Sequence, residues 1–149
     1  MAFKETVRSM LKVKGGDVWS IRPAATVYEA LLLMADKQVG ALVVVSEGKL
    51  AGMFSERDYA RKIILHGKTS KETLVREVMT SPVLTVTPEQ TVDECMRIMA
   101  HKRIRHLPVL EGDRLAGVIS IGDLVNSIIS AQAETIHQLS SYIAGSYPG

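Results

Sequence analysis

The sequence has few of the features that mark a secreted, membrane-bound or nucleic-acid-binding protein. It contains one cysteine, Cys95, so no intramolecular disulfide can form, which suits a reducing compartment. Apolar runs such as "ALVVV" are far shorter than the roughly 18 residues of a membrane span, and "MAFKETVRSM" lacks the apolar stretch of a signal peptide. The net charge is only +2, which gives no overall field favouring nucleic acid. We therefore expect a cytoplasmic protein without a membrane or nucleic-acid partner.

The most informative feature that is present is an internal repeat. The stretch "LAGMFSERD" at Leu50–Asp58 returns 65 residues later as "LAGVISIGD" at Leu115–Asp123. Residues 18–59 align with residues 83–124 without a gap, and 15 of the 42 positions are identical. Chance seldom produces such a match without insertions, so the chain consists of two copies of one unit.

Each copy shows the same order of predicted elements. Thr26 and Thr91 each precede a glutamate by three residues, which is the spacing of a capping box at a helix start. Apolar residues then recur at i, i+3, i+4, i+7 and i+8, which predicts one buried helix face. "ALVVVS" and "HLPVLE" are typical of strands buried on both faces, and "LAGMFS" and "LAGVIS" supply the second strands of hairpins. Another helix is predicted to begin at each Ser-x-x-Asp.

This order predicts an α/β protein, α+β-like in its hairpins, with two pseudo-symmetric β-α-β-β-α units packed sheet to sheet. A long C-terminal helix is expected, because the apolar stripe of the last helix continues through Ile136, Leu139 and Ile143. Its second half must pack on its own domain or on another subunit. The expected divisions are a first unit with an N-terminal helix at 1–72, a second unit at 73–130 and a helical tail at 131–149.

The gapless doubling, the apolar-flanked Ser-x-x-Asp that closes each copy and "RHLPV" before the second hairpin together resemble the CBS domain. CBS domains are cystathionine-β-synthase-type units that occur in tandem as a Bateman module. The resemblance covers roughly residues 10 to 130. It implies a regulatory module, not an enzyme, that binds adenine-bearing ligands such as AMP, ADP, ATP, NAD(H) or S-adenosylmethionine between its units. It also implies a homodimer and a regulated partner protein, with no catalytic cofactor.

The Ser-x-x-Asp elements have two compatible interpretations. Serine is a favoured N-cap, and aspartate at the third position interacts well with the helix dipole. A helix N-terminus also offers free N–H groups to an anion. The resemblance implies that Asp58 and Asp123 bind ribose hydroxyls and that Ser55 and Ser120 lie on the phosphate side.

The second copy is expected to carry the better-equipped pocket. Arg105 and His106 stand where the family commonly places phosphate-facing cations, and the arginine fork binds phosphate through two hydrogen bonds. Lys102 and Arg103 are interpreted instead as solvated cations at a helix C-terminus. The adenine is expected to lie against backbone around Ile104 to Pro108 and against "MTSPV". The complete predicted site comprises Val18, Gly40, Ala41, Ser55, Arg57, Asp58, Thr80, Pro82, Val83, Ile104, Arg105, His106, Pro108, Ser120, Gly122 and Asp123.

The first copy departs from this pattern, because Gly40, Ala41 and Val43 replace Arg105, His106 and Pro108. Its pocket is therefore expected to be weaker, empty or suited to a bulkier ligand. Arg57 stands where Gly122 does in the second copy, so the copies exchange cations. This exchange suggests that Arg57, Arg105 and His106 converge on one phosphate group. Arg61 or Lys62, one turn later, could also reach phosphates. Trp19 is interpreted as a core residue or as part of a hydrophobic staple. The alternative is that its ring stacks on a second ring of a dinucleotide.

Three other functions are weaker predictions. Catalysis by Ser120, Asp123, His106 and His101 lacks a Gly-x-Ser-x-Gly elbow, and the scattered histidines show no metal-binding spacing. Nucleic-acid binding by "HKRIRH" lacks neighbouring aromatic side chains for base stacking. The alternative that remains is a structural dimerisation module with vestigial clefts. Tyr142 and Tyr147 near the end of the last helix favour dimerisation in either case.

Overall fold

The computed structural model describes the backbone of residues 4–146 and the side chains of residues 4–132 and 134. Predicted contacts of Ile136, Leu139, Tyr142, Ile143 and Tyr147 therefore lie outside the described side chains. The elements up to residue 64 are α1 (Val7–Lys14), β1 (Ser20–Ile21), α2 (Val27–Lys37), β2 (Ala41–Ser46), β3 (Lys49–Ser55), α3 (Glu56–Asp58) and a π-helical segment (Tyr59–Ile64). The remaining elements are α4 (Val75–Val78), α5 (Val92–Lys102), β4 (His106–Glu111), β5 (Arg114–Ser120) and α6 (Ile121–Ser146).

The two copies form two small sheets with the same hairpin. In the first, β1 pairs in parallel with β2 and β2 pairs antiparallel with β3; in the second, β4 pairs antiparallel with β5. A single parallel bridge from Val86 to Val109 stands where β1 does in the first copy. The strands β3 and β5 contact each other. The predicted α/β fold of two pseudo-symmetric units is confirmed, as is the long last helix, α6.

Threonines cap both amphipathic helices as the spacing predicts. Thr26 Oγ1 accepts a hydrogen bond from Glu29 N at 3.1 Å, and Thr91 Oγ1 accepts one from Glu94 N at 3.1 Å. The capping box is complete in α5, where Thr91 N donates to the Glu94 carboxylate at 3.4 Å. Such a cap satisfies backbone groups that the helix itself leaves free.

The leading helices α1 and α4 pack across the sequence order. Val7 and Met10 of α1 belong to the core of the second unit, together with Cys95 and Leu107. Val75 and Val78 of α4 belong to the core of the first unit, which includes Phe54, Ile63 and Leu42. Each core therefore includes a helix from outside its own stretch of chain. The divisions at residues 72 and 130 stay predictions.

The glycine of each "LAG" allows this close packing. A Cβ at Gly117 would lie 2.8 Å from Leu11 Cδ2, and one at Gly52 would lie 2.7 Å from Met79 Sδ and 2.9 Å from the Thr80 carbonyl oxygen. Any larger side chain would collide with the segment that each leading helix lays on the hairpin. The repeated glycine is therefore explained by packing.

The second helices of the two copies differ. Three residues of α3 lead into the π-helical segment, and the chain turns at Gly67, whose φ is +67°. In the second copy, α6 runs for 26 residues. Within the described residues, no helix combines the length and apolar character needed to cross a membrane.

Candidate functional site

Two clefts lie between the units, and both draw residues from both copies. The first cleft has a volume of about 650 Å³ and the second of about 350 Å³. The first cleft is lined by Gly40, Ala41, Met53, Ser55, Glu56, Arg57, Asp58, Arg61, Thr80, Pro82, Val83, Leu84, Lys102, Arg103, Ile104, Arg105 and His106. The second cleft is lined by Lys14, Gly15, Asp17, Val18, Trp19, Gln38, Val39, Gly40, Ala41, His106, Val118, Ser120 and Asp123.

The start of α3 places Asp58 at the wall of the first cleft. Asp58 Oδ2 accepts hydrogen bonds from Ser55 N at 2.9 Å and from Ser55 Oγ at 3.1 Å, while Asp58 N donates to Ser55 Oγ at 3.2 Å. This reciprocal capping fixes the carboxylate of Asp58, a buried residue that lines the cleft. The capping interpretation of Ser-x-x-Asp and a place at the cleft thus hold together.

The other oxygen of Asp58 faces two donors from different stretches of the chain. Thr80 Oγ1 donates to Asp58 Oδ1 at 3.2 Å, and Lys62 Nζ lies 3.1 Å from the same oxygen. Lys62 also donates to the Val78 carbonyl oxygen at 2.9 Å. Asp58 is consequently a positioned acceptor that already binds hydroxyl and ammonium donors.

The first cleft is rich in cations. Arg57, Arg61 and Arg105 line it, and so do Lys102 and Arg103 at the end of α5. Arg57 Nη1 donates to the Arg103 carbonyl oxygen at 3.0 Å, which joins α3 of the first copy to the α5–β4 loop of the second. Because the described residues that line the same space include only two carboxylates, those of Glu56 and Asp58, the cleft favours an anionic ligand.

The remaining wall of the first cleft is largely apolar. It is formed by Pro82, Val83 and Leu84, which follow α4, and by Met53 and Ile104. Thr80 is held in place by paired backbone hydrogen bonds with Met53 at 2.8 and 3.0 Å. An aromatic base fits such a wall, because its faces are apolar and its edges can bind backbone groups.

The second cleft contains the equivalent helix start of α6. Asp123 Oδ2 accepts a hydrogen bond from Ser120 N at 2.8 Å, and Asp123 N donates to Ser120 Oγ at 3.1 Å. Lys14 Nζ lies 2.5 Å from the same Oδ2. Burial raises the pKa of the Asp123 carboxyl, but the hydrogen bonds from Lys14 and Ser120 and the charge of Lys14 outweigh burial, so the net pKa lies below its ordinary value.

His106 lines both clefts and forms part of the wall between them. Burial lowers the pKa of His106, and the positive charges of Lys14 and Arg105 lower it further, whereas Asp123 and Glu56 oppose the shift. The neutral imidazole is therefore favoured in the folded protein. A neutral ring offers one donor and one acceptor to whatever occupies either cleft.

Most predicted site residues line one of the two clefts, and Arg57, Arg105 and His106, which were expected to converge, all line the first. Arg105 and the "MTSPV" segment share a cleft with Asp58 of the first copy, while Asp123 lies in the smaller second cleft. Each cleft lies between the copies, and the expectation of a better-equipped pocket in the second copy stays a prediction. Residues predicted for the site divide as follows: Gly40, Ala41, Ser55, Arg57, Asp58, Thr80, Pro82, Val83, Ile104, Arg105 and His106 line the first cleft, and Val18, Gly40, Ala41, His106, Ser120 and Asp123 line the second.

Two of the predicted site residues lie away from both clefts. Pro108 and Gly122 line neither cleft: Pro108 is buried in β4, where its carbonyl oxygen accepts from Val86 N, and Gly122 is exposed on α6. Lys102 and Arg103 are exposed at the end of α5, in keeping with their interpretation as solvated cations, and they also line the first cleft. No sequence motif indicates that these two residues line a cleft. Their position depends on the left-handed conformation of Arg103, which redirects the chain after α5.

Trp19 is not a core residue. It is 37% exposed, lines the second cleft and has Lys37 Nζ 4.4 Å from its ring centroid. Such a cation–π contact helps to fix the ring beside the cleft, and ring stacking on a ligand stays a prediction. Lys14, which sequence reasoning did not select, lines the same cleft.

Comparison with known proteins agrees with this architecture. The CBS domain family matches residues 10–65 and 75–130. The chain is 45% identical over 127 residues to "CBS domain-containing protein CBSX3, mitochondrial" from Arabidopsis thaliana, covering 82% of this chain but only 62% of that protein. This chain therefore belongs to the CBS-domain family, as a tandem pair.

Solved structures share the fold. A CBS-domain protein from Burkholderia ambifaria, described as a candidate signal-transduction protein, superposes with a TM-score of 0.82 at 48% identity, covering 85% of this chain and 96% of that one. A hexameric CBS-CP12 protein from bloom-forming cyanobacteria gives a TM-score of 0.69 at 35% identity, covering 74% and 65% of the two chains. The relatives with similar structures are thus CBS-domain proteins, of signal-transduction type in the first case.

Proposed function

We propose that this chain is a regulatory module that binds an adenine nucleotide in the first cleft and signals through contacts with a partner or a second copy. The observation that carries the proposal is the composition of that cleft. A buried, positioned carboxylate at Asp58 and arginines from both copies surround one space of about 650 Å³. This volume falls within the roughly 300–1,000 Å³ of small-molecule sites.

The ribose, the phosphates and the adenine of the nucleotide each have suitable partners among the residues that line the first cleft. Asp58 accepts from the ribose hydroxyls in place of Lys62 or Thr80, which already donate to its Oδ1. Arg57 and Arg105 bind the phosphates, since guanidinium groups form paired hydrogen bonds with phosphate oxygens. The adenine lies against the apolar segment 82–84. AMP, ADP, ATP and NAD(H) share these groups, and the many cations favour the ligands with more phosphates.

The proposed function is binding without catalysis. Ser55 Oγ and Ser120 Oγ both accept hydrogen bonds from the backbone of their own helix starts, so both serines act as caps. Among the described residues, no group of three or more histidine, cysteine, aspartate or glutamate side chains is arranged to hold a metal ion. The nucleotide would then act as a regulator that changes contacts between units.

The output of such a module requires a second protein or self-association. Val125 and Ile129 on α6 are 40% and 55% exposed, which is consistent with a homodimer contact along this helix. The hexameric cyanobacterial neighbour supports self-association of related pairs.

We propose a reducing, cytoplasmic location, because the thiol of Cys95 is buried and unpaired. Burial raises the pKa of this thiol to about 11.

A thermal-shift panel of AMP, ADP, ATP, NAD, NADH and S-adenosylmethionine tests the proposal. Saturation at about 100 times the dissociation constant should add about 2.7 kcal/mol to the free energy of unfolding. Asp58→Asn, which keeps an acceptor for the cap, should remove most of the shift, whereas Asp36→Asn at an exposed aspartate should not. If no ligand stabilises the wild type while light scattering shows a dimer, the chain is a structural dimerisation module instead.

A further inference from the structure

The two clefts differ because the leading helices end differently. Val7 N donates to Gln90 O on the second unit, and Val75 N donates to Ala25 O on the first, each at 2.8 Å. These bonds seat α1 and α4 in equivalent places. Leu11 on Gly117 and Met79 on Gly52 are likewise equivalent contacts.

Beyond these contacts the equivalence ends. The helix α4 ends at Val78. In the extended chain that follows, Thr80 donates a hydrogen bond to Asp58, and residues 82–84 form part of the wall of the first cleft. The helix α1 continues for another turn to Lys14 before Gly15, at φ +95°, redirects the chain. That extra turn delivers the lysine into the second cleft.

Lys14 occupies the acceptors of the second cleft. Its Nζ donates to the Val118 carbonyl oxygen and to Asp123 Oδ2, the oxygen that already accepts from Ser120 N. Among the described residues lining this cleft, Lys14 is the one lysine or arginine, and Asp17 adds a second acid. Once Lys14 is paired with Asp123, no unpaired lysine or arginine of this lining remains for a phosphate.

We propose that Lys14 closes the second cleft, so that each chain binds a single nucleotide, in the first cleft. Lys62 pairs with Asp58 in the first unit as well, but it is not among the described residues that line the first cleft. Lys14 does line the second cleft, so it takes the carboxylate that a sugar would use and also fills part of the smaller space. This inference rests on the proposed function of the first cleft. It makes Lys14 the residue that sets the number of occupied sites.

Equilibrium binding tests this assignment with two probes. ATP is titrated first, and adenosine, which needs no phosphate partner, is then titrated in the presence of saturating ATP. The wild type should bind one ATP per chain and no adenosine beyond it. Lys14→Ala should bind one further ligand per chain, and adding Asp123→Ala to it should restore a single site. Lys12→Ala, which removes the same charge from the exposed side of α1, should behave as the wild type.

The outcomes separate the two proposals. If ATP binds neither protein, the proposed function fails and the inference falls with it. If the wild type binds one ATP and folded Lys14→Ala admits no further ligand, only the inference is overturned. Two ligands on the wild type would overturn it as well. Lys14→Ser serves as a second variant if the alanine variant does not fold, with circular dichroism as the check on both.

Discussion

Cε1 of His106 lies 3.6 Å from the position that a Cβ would take at Gly40, so a side chain of the second copy rests on the backbone of the first. Both residues line both clefts. Because Gly40 has no side chain, the imidazole forms this part of the partition between the clefts. The charge of His106 therefore affects the electrostatics of both clefts.

Acidification should destabilise the protein through His106. Its pKa is lowered in the folded state, so the unfolded chain binds the proton more tightly, and the free energy of unfolding falls as pH drops from about 6.5 through the lowered value. Urea unfolding of the wild type at pH 7.5 and pH 5.5 should show a loss that His106→Gln reduces.

The control for this experiment is His66→Gln, which alters an exposed histidine. Its loss of stability between the two pH values should equal that of the wild type. Equal losses in wild type and His106→Gln would show that His106 does not titrate as described.

Asp123 should contribute stability in a different pH range. Its folded pKa lies below 3.8, so the carboxylate stabilises the fold at neutral pH, and this contribution is lost as pH falls below about 4 through the folded value. The difference in unfolding free energy between wild type and Asp123→Asn should be larger at pH 7 than at pH 3. An Asp36→Asn control should show no such change, and a constant difference for Asp123→Asn would contradict the ion pair with Lys14.

Gly52→Ala should destabilise the first unit by about 1–3 kcal/mol, because the added methyl meets the backbone oxygen of Thr80 at 2.9 Å. Gly117→Ala should cost less, since its obstacle is the flexible end of Leu11. Gly16→Ala, whose Cβ would meet only Ala116 O at 3.6 Å, should lie within about 0.5 kcal/mol of the wild type. Denaturant unfolding measures all three, and equal costs at the three positions would contradict the packing described.

Arg105→Ala should weaken ATP binding by roughly 10- to 100-fold, the effect of losing a charge-assisted hydrogen bond of about 1.5–3 kcal/mol. Adenosine affinity should change little, because adenosine lacks the phosphates that Arg105 binds. Arg97→Ala is the control, since Arg97 is exposed and pairs with Asp93 away from the cleft. Calorimetric titration checks the prediction, and equal losses for ATP and adenosine would place Arg105 elsewhere on the ligand.

The repeat made the elements and the fold predictable, because capping threonines, helix periodicity and hairpin strands are local signals. The composition of the clefts was predictable only in part: the exchange of cations between the copies brings Arg57, Arg105 and His106 together, and all three line the first cleft. An alignment of the copies places Arg105 beside Asp123 in one unit, whereas the cleft is formed between units and places Arg105 with Asp58. Lys14 escaped notice because its role depends on where α1 packs, which lies outside the aligned stretch.

The crossed packing of α1 and α4 has a consequence for any attempt to divide the molecule. A chain severed near residue 70 would leave the front half without Val75 and Val78 and the rear half without Val7 and Met10, all of them core side chains. Neither fragment alone could complete its interior, so the halves should fold only in each other's presence. The duplicated unit has thus become a pair in which each half depends on a helix from the other for its stability.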